Sequence, residues 1–164
     1  MADIFNWPEI SEDLTRIGMA ALLGGLLGLE RELNGHFAGL RTHMMVAIGC
    51  AVFMMAGLVV GPQHEAVTRV VQGIATGVGF LGAGTILKLD EKEKIKGLTT
   101  ASSIWLAAAL GTVAGLGDYG LAVVATLLAL VVLGAIRPIE RAAARRFGQA
   151  GNMDTPTGKG KDKK

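Results

Sequence analysis

The chain has 164 residues, of which 51% are hydrophobic, 18% are charged and 24 are glycine. Soluble domains carry about 25% charged residues, so this composition argues against a soluble protein and favours membrane helices that approach closely through small residues. The net charge is only +2 and there is one cysteine, which excludes an intrachain disulfide. We expect no nucleic-acid partner.

The N-terminal segment 1–13 is acidic and lacks the basic region with which a cleaved signal peptide begins. We therefore expect the first apolar segment to remain in the mature protein and residues 1–13 to lie outside the cytoplasm.

Five apolar runs predict an all-α membrane protein with about five transmembrane helices, because about 20 apolar residues cross a bilayer. The predicted spans are Leu14–Leu29, His43–Val60, Thr68–Leu87, Leu98–Leu116 and Tyr119–Ile136, with both ends of the first expected to extend further. We expect the fifth to end at Arg137-Pro138, since proline does not continue a regular helix. Residues 14–136 form the predicted transmembrane domain.

The basic residues indicate an orientation. Lysine and arginine occur in the breaks 30–42 and 88–96 and in the tail 137–164, whereas the segments 1–13, 61–67 and 117–118 carry none. The positive-inside rule then places the N-terminus outside and the C-terminus in the cytoplasm. We interpret 88–96 as a solvated connector and the tail as largely disordered, with a short helix on anionic headgroups as the alternative.

An internal repeat emerges when the chain is shifted against itself by 58 residues. Leu23-Gly24 then falls on Leu81-Gly82, Gly39-Leu40 on Gly97-Leu98, and Thr42 on Thr100. The match predicts a duplicated helical hairpin, in which spans one and two repeat as spans three and four, followed by a fifth helix. Chance matching in a chain rich in glycine, leucine and alanine is the alternative.

The third span contains the stretch TGVGFLGAGTIL, in which Gly77, Gly79 and Gly82 have the G-x-G-x-x-G spacing of a dinucleotide site. That site needs a strand before the glycines, and here they lie within a membrane-length run. On a helix, Gly73, Gly77 and Gly84 share one face, and Gly79 and Gly82 lie roughly opposite. We therefore predict close helix packing on two sides of this span, as at the centre of a bundle. A broken helix lining an ion or ligand site is the alternative.

Polar residues gather at the predicted cytoplasmic ends of the spans. The candidate ligand- or partner-binding residues are Glu30, Arg31, Arg41, Thr42, His43, Thr99 and Thr100. Helix capping is the alternative role of Thr42 and Thr100. Glu30 is expected to pair with Arg41 or Arg31, because unpaired charges at membrane depth are costly, unless it simply extends to the interface.

The remaining polar residues give weaker signals. Glu30 and Glu32 could offer oxygen ligands to Mg²⁺ but form no dedicated cage, and His43 is either a pH-sensitive group or a solvated residue. Arg16 is expected to extend outwards to the interface. The sequence contains no serine–histidine–acid set, no cysteine–histidine set and no Walker motif. We expect that the protein is not an enzyme. We also expect no cofactor, with Mg²⁺ as the alternative.

Four segments together resemble the MgtC/SapB family of bacterial inner-membrane proteins. They are GLERE at 28–32, AGLRTHMMVAIG at 38–49, TRVVQGIATGVGFLGAGTIL at 68–87 and KGLTTASSIWLAAALGTVAGLG at 96–117. The resemblance covers about 17–136 and implies a multi-pass membrane domain linked to growth in low magnesium. In some pathogens it implies survival inside macrophages. Long members add a soluble C-terminal domain where this chain has a short basic tail, and Thr99 stands at a position that varies in the family.

The resemblance implies two functions. Some relatives are thought to bind and restrain the membrane sector of the F-type ATP synthase, which predicts a regulatory membrane protein with a membrane-protein partner. The alternative is a transporter or channel for Mg²⁺ or another small solute. Few charges lie in the middle of the predicted spans, which favours the first. The glycine-lined helix faces would also permit a homodimer.

Overall fold

Five helices and one short hairpin make up the described part of the chain. The computed structural model describes residues 7–60, 64–89 and 94–150. The helices are α1 (Trp7–Leu33), α2 (Leu40–Val60), α3 (His64–Gly84), α4 (Leu98–Leu116) and α5 (Tyr119–Ala150). Strands β1 (Leu87–Leu89) and β2 (Lys94–Lys96) pair antiparallel between α3 and α4. The two strands cover both ends of the predicted solvated connector 88–96, of which 90–93 lie outside the described residues.

Several of the described helices have the hydropathy of membrane spans. Three of them, over Leu40–Val60, Glu65–Gly84 and Leu98–Leu116, are long and apolar enough to cross a bilayer, and Tyr119–Gly134 is a shorter apolar helix. The helix α1 extends beyond the predicted span at both ends, as expected. The prediction of an all-α membrane protein is confirmed.

The starts of α2 and α4 correct the predicted helix caps. The backbone N–H of Leu40 donates to Glu32 Oε2 at 2.8 Å, so a carboxylate from α1 caps α2. The residue before α4, Gly97, has φ 102° and provides no side-chain cap. Each helix begins two residues before the expected capping threonine, so Thr42 and Thr100 lie inside the first turn and the capping prediction is wrong.

The C-terminal helix also differs from the prediction. The backbone of α5 continues through Pro138 to Ala150, so the helix end predicted at Arg137-Pro138 is wrong. Proline removes one hydrogen bond, to the carbonyl of Gly134 four residues earlier, and the helix tolerates that loss. Residues 137–150 of the predicted disordered tail are helical, and 151–164 lie outside the described residues. The chain divides into two units at 130/131, so α5 belongs partly to each.

The core forms where α1 and α4 meet α2 at backbone distance. A Cβ atom added to Gly24 would lie 2.7 Å from Ala47 Cβ, and one added to Gly111 would lie 2.7 Å from Ala47 Cα. One turn further along each helix, Gly28 and Gly115 meet the α2 backbone in the same way. Both pairs follow the small-xxx-small pattern that lets helices touch. A side chain at any of these four positions would separate the helices.

The glycines of α3 do not have the predicted role. An added Cβ atom would find no atom within 4 Å at Gly73, Gly77, Gly79 or Gly84, and only Gly82 has a neighbour, Ala101 Cβ at 3.6 Å. Only 11% of the α3 span is buried, against 56% of the α4 span. Within the described residues, the prediction that these glycines pack on two sides of a central helix is therefore wrong for all but Gly82.

The two hairpins share contacts at the shift of 58 residues. A Cβ atom on Gly24 would lie 2.8 Å from the His43 carbonyl oxygen, and one on the equivalent Gly82 would lie 3.8 Å from that of Ala101. A second contact recurs in the same way: Gly28 lies against Gly39 in the first hairpin, and the equivalent residues Ile86 and Gly97 lie against each other in the second. This agreement supports the duplicated hairpin, and the first copy is packed more tightly than the second.

Candidate functional site

A buried hydrogen-bonded chain joins α2 to α4. His43 is completely buried, and its Nδ1 lies 2.8 Å from the carbonyl oxygen of Gly39. That oxygen can only accept, so Nδ1 carries a proton. The other ring nitrogen, Nε2, lies 3.0 Å from Ser103 Oγ, which is also 2.9 Å from the Thr100 carbonyl oxygen. The imidazole is therefore a structural link between two helices, and the expectation of a solvated histidine is wrong.

The serine hydroxyl gives this link two hydrogen-bonding arrangements. With a neutral ring, Ser103 Oγ–H donates to His43 Nε2; with a protonated ring, Nε2–H donates to Ser103 Oγ, and that hydroxyl donates to the Thr100 carbonyl. Both arrangements use the same heavy-atom positions. Rotation of one hydroxyl is thus enough to keep both ring nitrogens of His43 bonded in either arrangement.

A buried arginine lies at the end of α1. Arg31 is 1% exposed, and its Nη1 lies 3.4 Å from Glu30 Oε2. Glu30 in turn accepts a hydrogen bond at Oε1 from Asn34 Nδ2 at 2.7 Å. A cation in the last turn of a helix is favoured by the helix dipole. Among the described residues, Glu30 thus pairs with Arg31 and not with Arg41, which is exposed.

The carboxylates proposed as weak Mg²⁺ ligands are occupied by protein groups. Glu32 caps α2 through Leu40 N–H, and its Oε2 lies 2.7 Å from where a Cβ atom on Gly39 would be. Glu30 is bonded as described above. In the described ranges, no three His, Cys, Asp or Glu side chains form a group that could hold a metal ion.

The seven predicted site residues divide by exposure. Arg31, His43 and Thr100 are buried within the core, Glu30 is partly buried, and Arg41, Thr42 and Thr99 are exposed. The exposed three stand in the first turns of α2 and α4, which the His43–Ser103 link holds together. Ser103 is not among the predicted site residues, although it lies one turn after Thr99 and next to a second serine, Ser102.

A second polar contact lies towards the N-terminal half of α1. Arg16 Nη1 donates to the carbonyl oxygen of Gly115 at 2.8 Å, and Nη2 pairs with Glu12. The guanidinium of Arg16 satisfies a carbonyl in the last turn of α4, where no intrahelical donor remains, and the expectation that it extends to the outer interface stays a prediction. The side chain fastens α1 to the C-terminal end of α4.

An apolar groove of about 710 Å³ separates α2 from α3. Gly49 and Cys50 line it from α2, and Gly73, Ile74 and Gly77 line it from α3. Since α3 is helical without interruption from His64 to Gly84, its glycines neither unwind the helix nor form a nucleotide loop. Both alternatives to packing are therefore wrong.

A family model and several known proteins match the sequence of the chain. Residues 17–142 match the sequence model described as the MgtC family. The chain is 40% identical to Protein SrpB of Synechococcus elongatus, over 78% of this chain and 76% of SrpB. It is 40% identical to Protein MgtC of Brucella abortus, over 81% of this chain and 55% of that protein.

A third relative is named "Putative magnesium transporter YhiD", from Escherichia coli K12, with 39% identity over 75% of this chain and 60% of YhiD. The chain thus spans little more than half the length of the MgtC and YhiD relatives. No solved structure matches the chain. The match over residues 17–142 and the identity of these relatives establish that the chain belongs to the MgtC family.

Proposed function

We propose that this chain is a regulatory protein of the bacterial inner membrane that serves adaptation to low magnesium by binding another integral membrane protein. The expected partner is the membrane sector of the F-type ATP synthase, which the family resemblance suggests. We propose in addition that it is not an enzyme, that it needs no cofactor, and that its N-terminus faces outwards and its C-terminus the cytoplasm. In pathogens that carry such a protein, this role would bear on virulence.

The closed hydrogen-bonded link between His43 and Ser103 is the observation that carries this proposal. Both side chains bond to groups of the chain itself, and the helices around them meet at backbone distance. A transporter needs polar groups along a hydrated path, and transporters commonly place them near the bilayer midplane between repeats. Here the equivalent region is filled by Ala47 and its glycine neighbours. The link is better suited to fixing helix positions than to passing an ion.

The exposed polar residues would then form the partner-binding surface. Arg41, Thr42 and Thr99 are exposed on first helical turns that the buried link keeps in register. An arginine and two hydroxyls offer donors and acceptors to a partner at the level of the headgroups. Because their helices are fixed, little conformational freedom would be lost when they bind.

Chemical crosslinking in native inner membranes, followed by mass spectrometry, tests this proposal. The full chain should yield crosslinks to membrane subunits of the ATP synthase, and Arg41→Ala with Thr99→Ala should reduce their yield by about ten-fold, corresponding to about 1.4 kcal/mol. Ser102→Ala is the matched control, because Ser102 is an exposed hydroxyl on the same helix bonded only to its own backbone. Recovery of no ATP synthase subunit from the unchanged chain would contradict the proposal.

Transport of Mg²⁺ or another small solute is the second candidate, favoured by the name of the YhiD relative. Purified chain in liposomes loaded with a Mg²⁺-sensitive dye decides between the two. Mg²⁺ flux above that of empty liposomes would support transport, and flux equal to that background would leave the regulatory proposal.

A further inference from the structure

The groove between α2 and α3 is closed at one end and open at the other. A Cβ atom on Gly57 of α2 would lie 2.7 Å from Val70 Cγ2 of α3, so the two helices touch there. Towards the start of α2, a Cβ atom on Gly49, Gly73 or Gly77 would meet nothing within 4 Å, and all three glycines line the groove. The space between the helices therefore opens towards the first turns of α2.

The groove is apolar throughout. Every described residue that lines it is apolar. Cys50 and Val78 line it and belong to the core cluster that includes Ile104 and Ala108 of α4, so the groove has a packed floor. Its surface offers nothing to a hydrated ligand, whereas a hydrocarbon chain is stabilised on apolar surface.

The groove is as long as one leaflet of a bilayer is thick. The lining residues run over Met45–Phe53 on α2 and Val70–Leu81 on α3, about 12 Å and about 16 Å at 1.5 Å per residue. Half of the hydrocarbon core of a bilayer is about 15 Å. The span Leu40–Val60 has 21 residues, about 31 Å of helix, which matches the whole core. The first turn of α2 then lies at one membrane surface, and the groove runs inwards from it.

A cation and a hydroxyl stand at the open end of the groove. Arg41 precedes Met45 by four residues, and Thr42 precedes Val46 by four, so each lies one turn beyond a lining residue on the same face of α2. Both are exposed. Within the described ranges, no carboxylate forms an ion pair with Arg41. The planar guanidinium has the charge and the donors that match a phosphate group.

An apolar groove that begins at a cation complements a phospholipid. We propose that the groove between α2 and α3 binds one phospholipid molecule, with its phosphate on Arg41 and Thr42 and one acyl chain along Gly49, Gly73 and Gly77. The missing side chains of the glycines provide the room for the chain. A helix of another protein is about 10 Å wide along its whole length and does not fit a space that closes at its far end, whereas a flexible chain does.

Native mass spectrometry of the purified, delipidated chain in detergent tests the groove, with phosphatidylglycerol as the probe. The unchanged chain should bind one molecule. Gly77→Leu should raise the dissociation constant about ten-fold, the loss expected when about two buried methylene groups are displaced. Gly79→Leu is the matched control, since both glycines of α3 have open space for a side chain but only Gly77 lines the groove. Equal binding by the two variants, or no lipid on the unchanged chain, would overturn the proposal.

A second comparison in the same assay examines the phosphate. The unchanged chain should bind phosphatidylglycerol about ten-fold more tightly than a diacylglycerol with the same chains, as for one hydrogen-bonded charge. Arg41→Gln should lose most of this preference, and Arg69→Gln, which removes an exposed arginine near the start of α3, should keep it. An equal preference in Arg41→Gln and the unchanged chain would contradict the assignment. Because no partner is present, these outcomes do not depend on the proposed function.

Photocrosslinking identifies the occupant in native membranes. A benzophenone amino acid replaces either Phe53, exposed at the groove, or Leu128, exposed on α5. The membranes are dissolved in detergent before irradiation, so that freely exchanging lipid is diluted. A phospholipid adduct at position 53 and none at position 128 is expected. Equal adducts at both positions, or a product at position 53 that joins the chain to a second copy or to a different protein, would each overturn the proposal.

Discussion

The carbonyl group of Ala47 on α2 occupies the space in which a side chain on Gly111 of α4 would begin. Ala47 also meets Gly24 of α1 and is completely buried. One alanine thus sets the distance between three helices, and the core has no room for a larger residue at any of these positions.

We expect Gly111→Ala to destabilise the protein by about 1–3 kcal/mol or more, because the added methyl group collides with backbone that cannot rotate away. Gly77→Ala is the matched control: its Cβ atom would meet open space, and alanine is the better helix former by about 1 kcal/mol. Unfolding in mixed micelles of increasing SDS content measures both. Equal stability of the two variants would show that α2 and α4 are not in backbone contact.

Removing the hydroxyl of Ser103 should cost about 1–3 kcal/mol, since a buried ring nitrogen of His43 loses its partner. In the double variant His43→Leu, Ser103→Ala, both polar groups are gone, so the combined cost should be less than the sum of the two single costs. The same unfolding assay measures this coupling. Additive costs would contradict the hydrogen bond, and Ser102→Ala, on the exposed side of α4, should have little effect.

Glu32→Ala should lower stability by about 0.5–2 kcal/mol, because the N–H of Leu40 loses the carboxylate that caps α2. Glu32→Gln keeps one acceptor oxygen and should recover most of that loss. Hydrogen exchange of the α2 amides gives a local readout: faster exchange confined to the first turn is expected for Glu32→Ala. Protection unchanged in that turn would contradict the capping role.

Arg16→Ala should cost about 1.5–3 kcal/mol, the range for a hydrogen bond to a charged group, because the Gly115 carbonyl loses its donor. Arg41→Ala serves as the control, since Arg41 is exposed and its loss should change stability little. Thermal unfolding of detergent-solubilised protein compares the two. A larger effect at Arg41 than at Arg16 would contradict the assigned contact.

Hydropathy and charge spacing were enough to predict the helices, because each span is a continuous apolar run and needs no knowledge of its neighbours. Glycine spacing was not enough. The pairs Gly24/Gly28, Gly73/Gly77 and Gly111/Gly115 have the same four-residue separation, but only the first and last contact another backbone. Which helix stands opposite a glycine is a property of the assembled bundle.

The residues of the candidate site were predicted from the sequence, but which of them are buried was not. The polar residues at the ends of α1, α2 and α4 stand out in the sequence because charges are rare near spans. The division into buried and exposed members depends on contacts such as His43–Ser103, whose residues are 60 positions apart. The cap of α2 was not predicted, because a capping side chain usually belongs to the residue just before the helix. Here Glu32 accepts the hydrogen bond of Leu40 N–H from eight positions earlier in the chain.

The unequal tightness of the two hairpins has a consequence for how such a protein tolerates change. An alanine at Gly24 would press on Ala47, whereas one at the equivalent Gly82 would make an ordinary contact with Ala101. Replacements on the exposed side of α3, away from Ile74 and Val78, therefore leave the α1–α2–α4 core intact, while replacements at Gly24 do not. The outer surface of α3 is the part of the molecule that mutation can reshape for a new neighbour without loss of the fold.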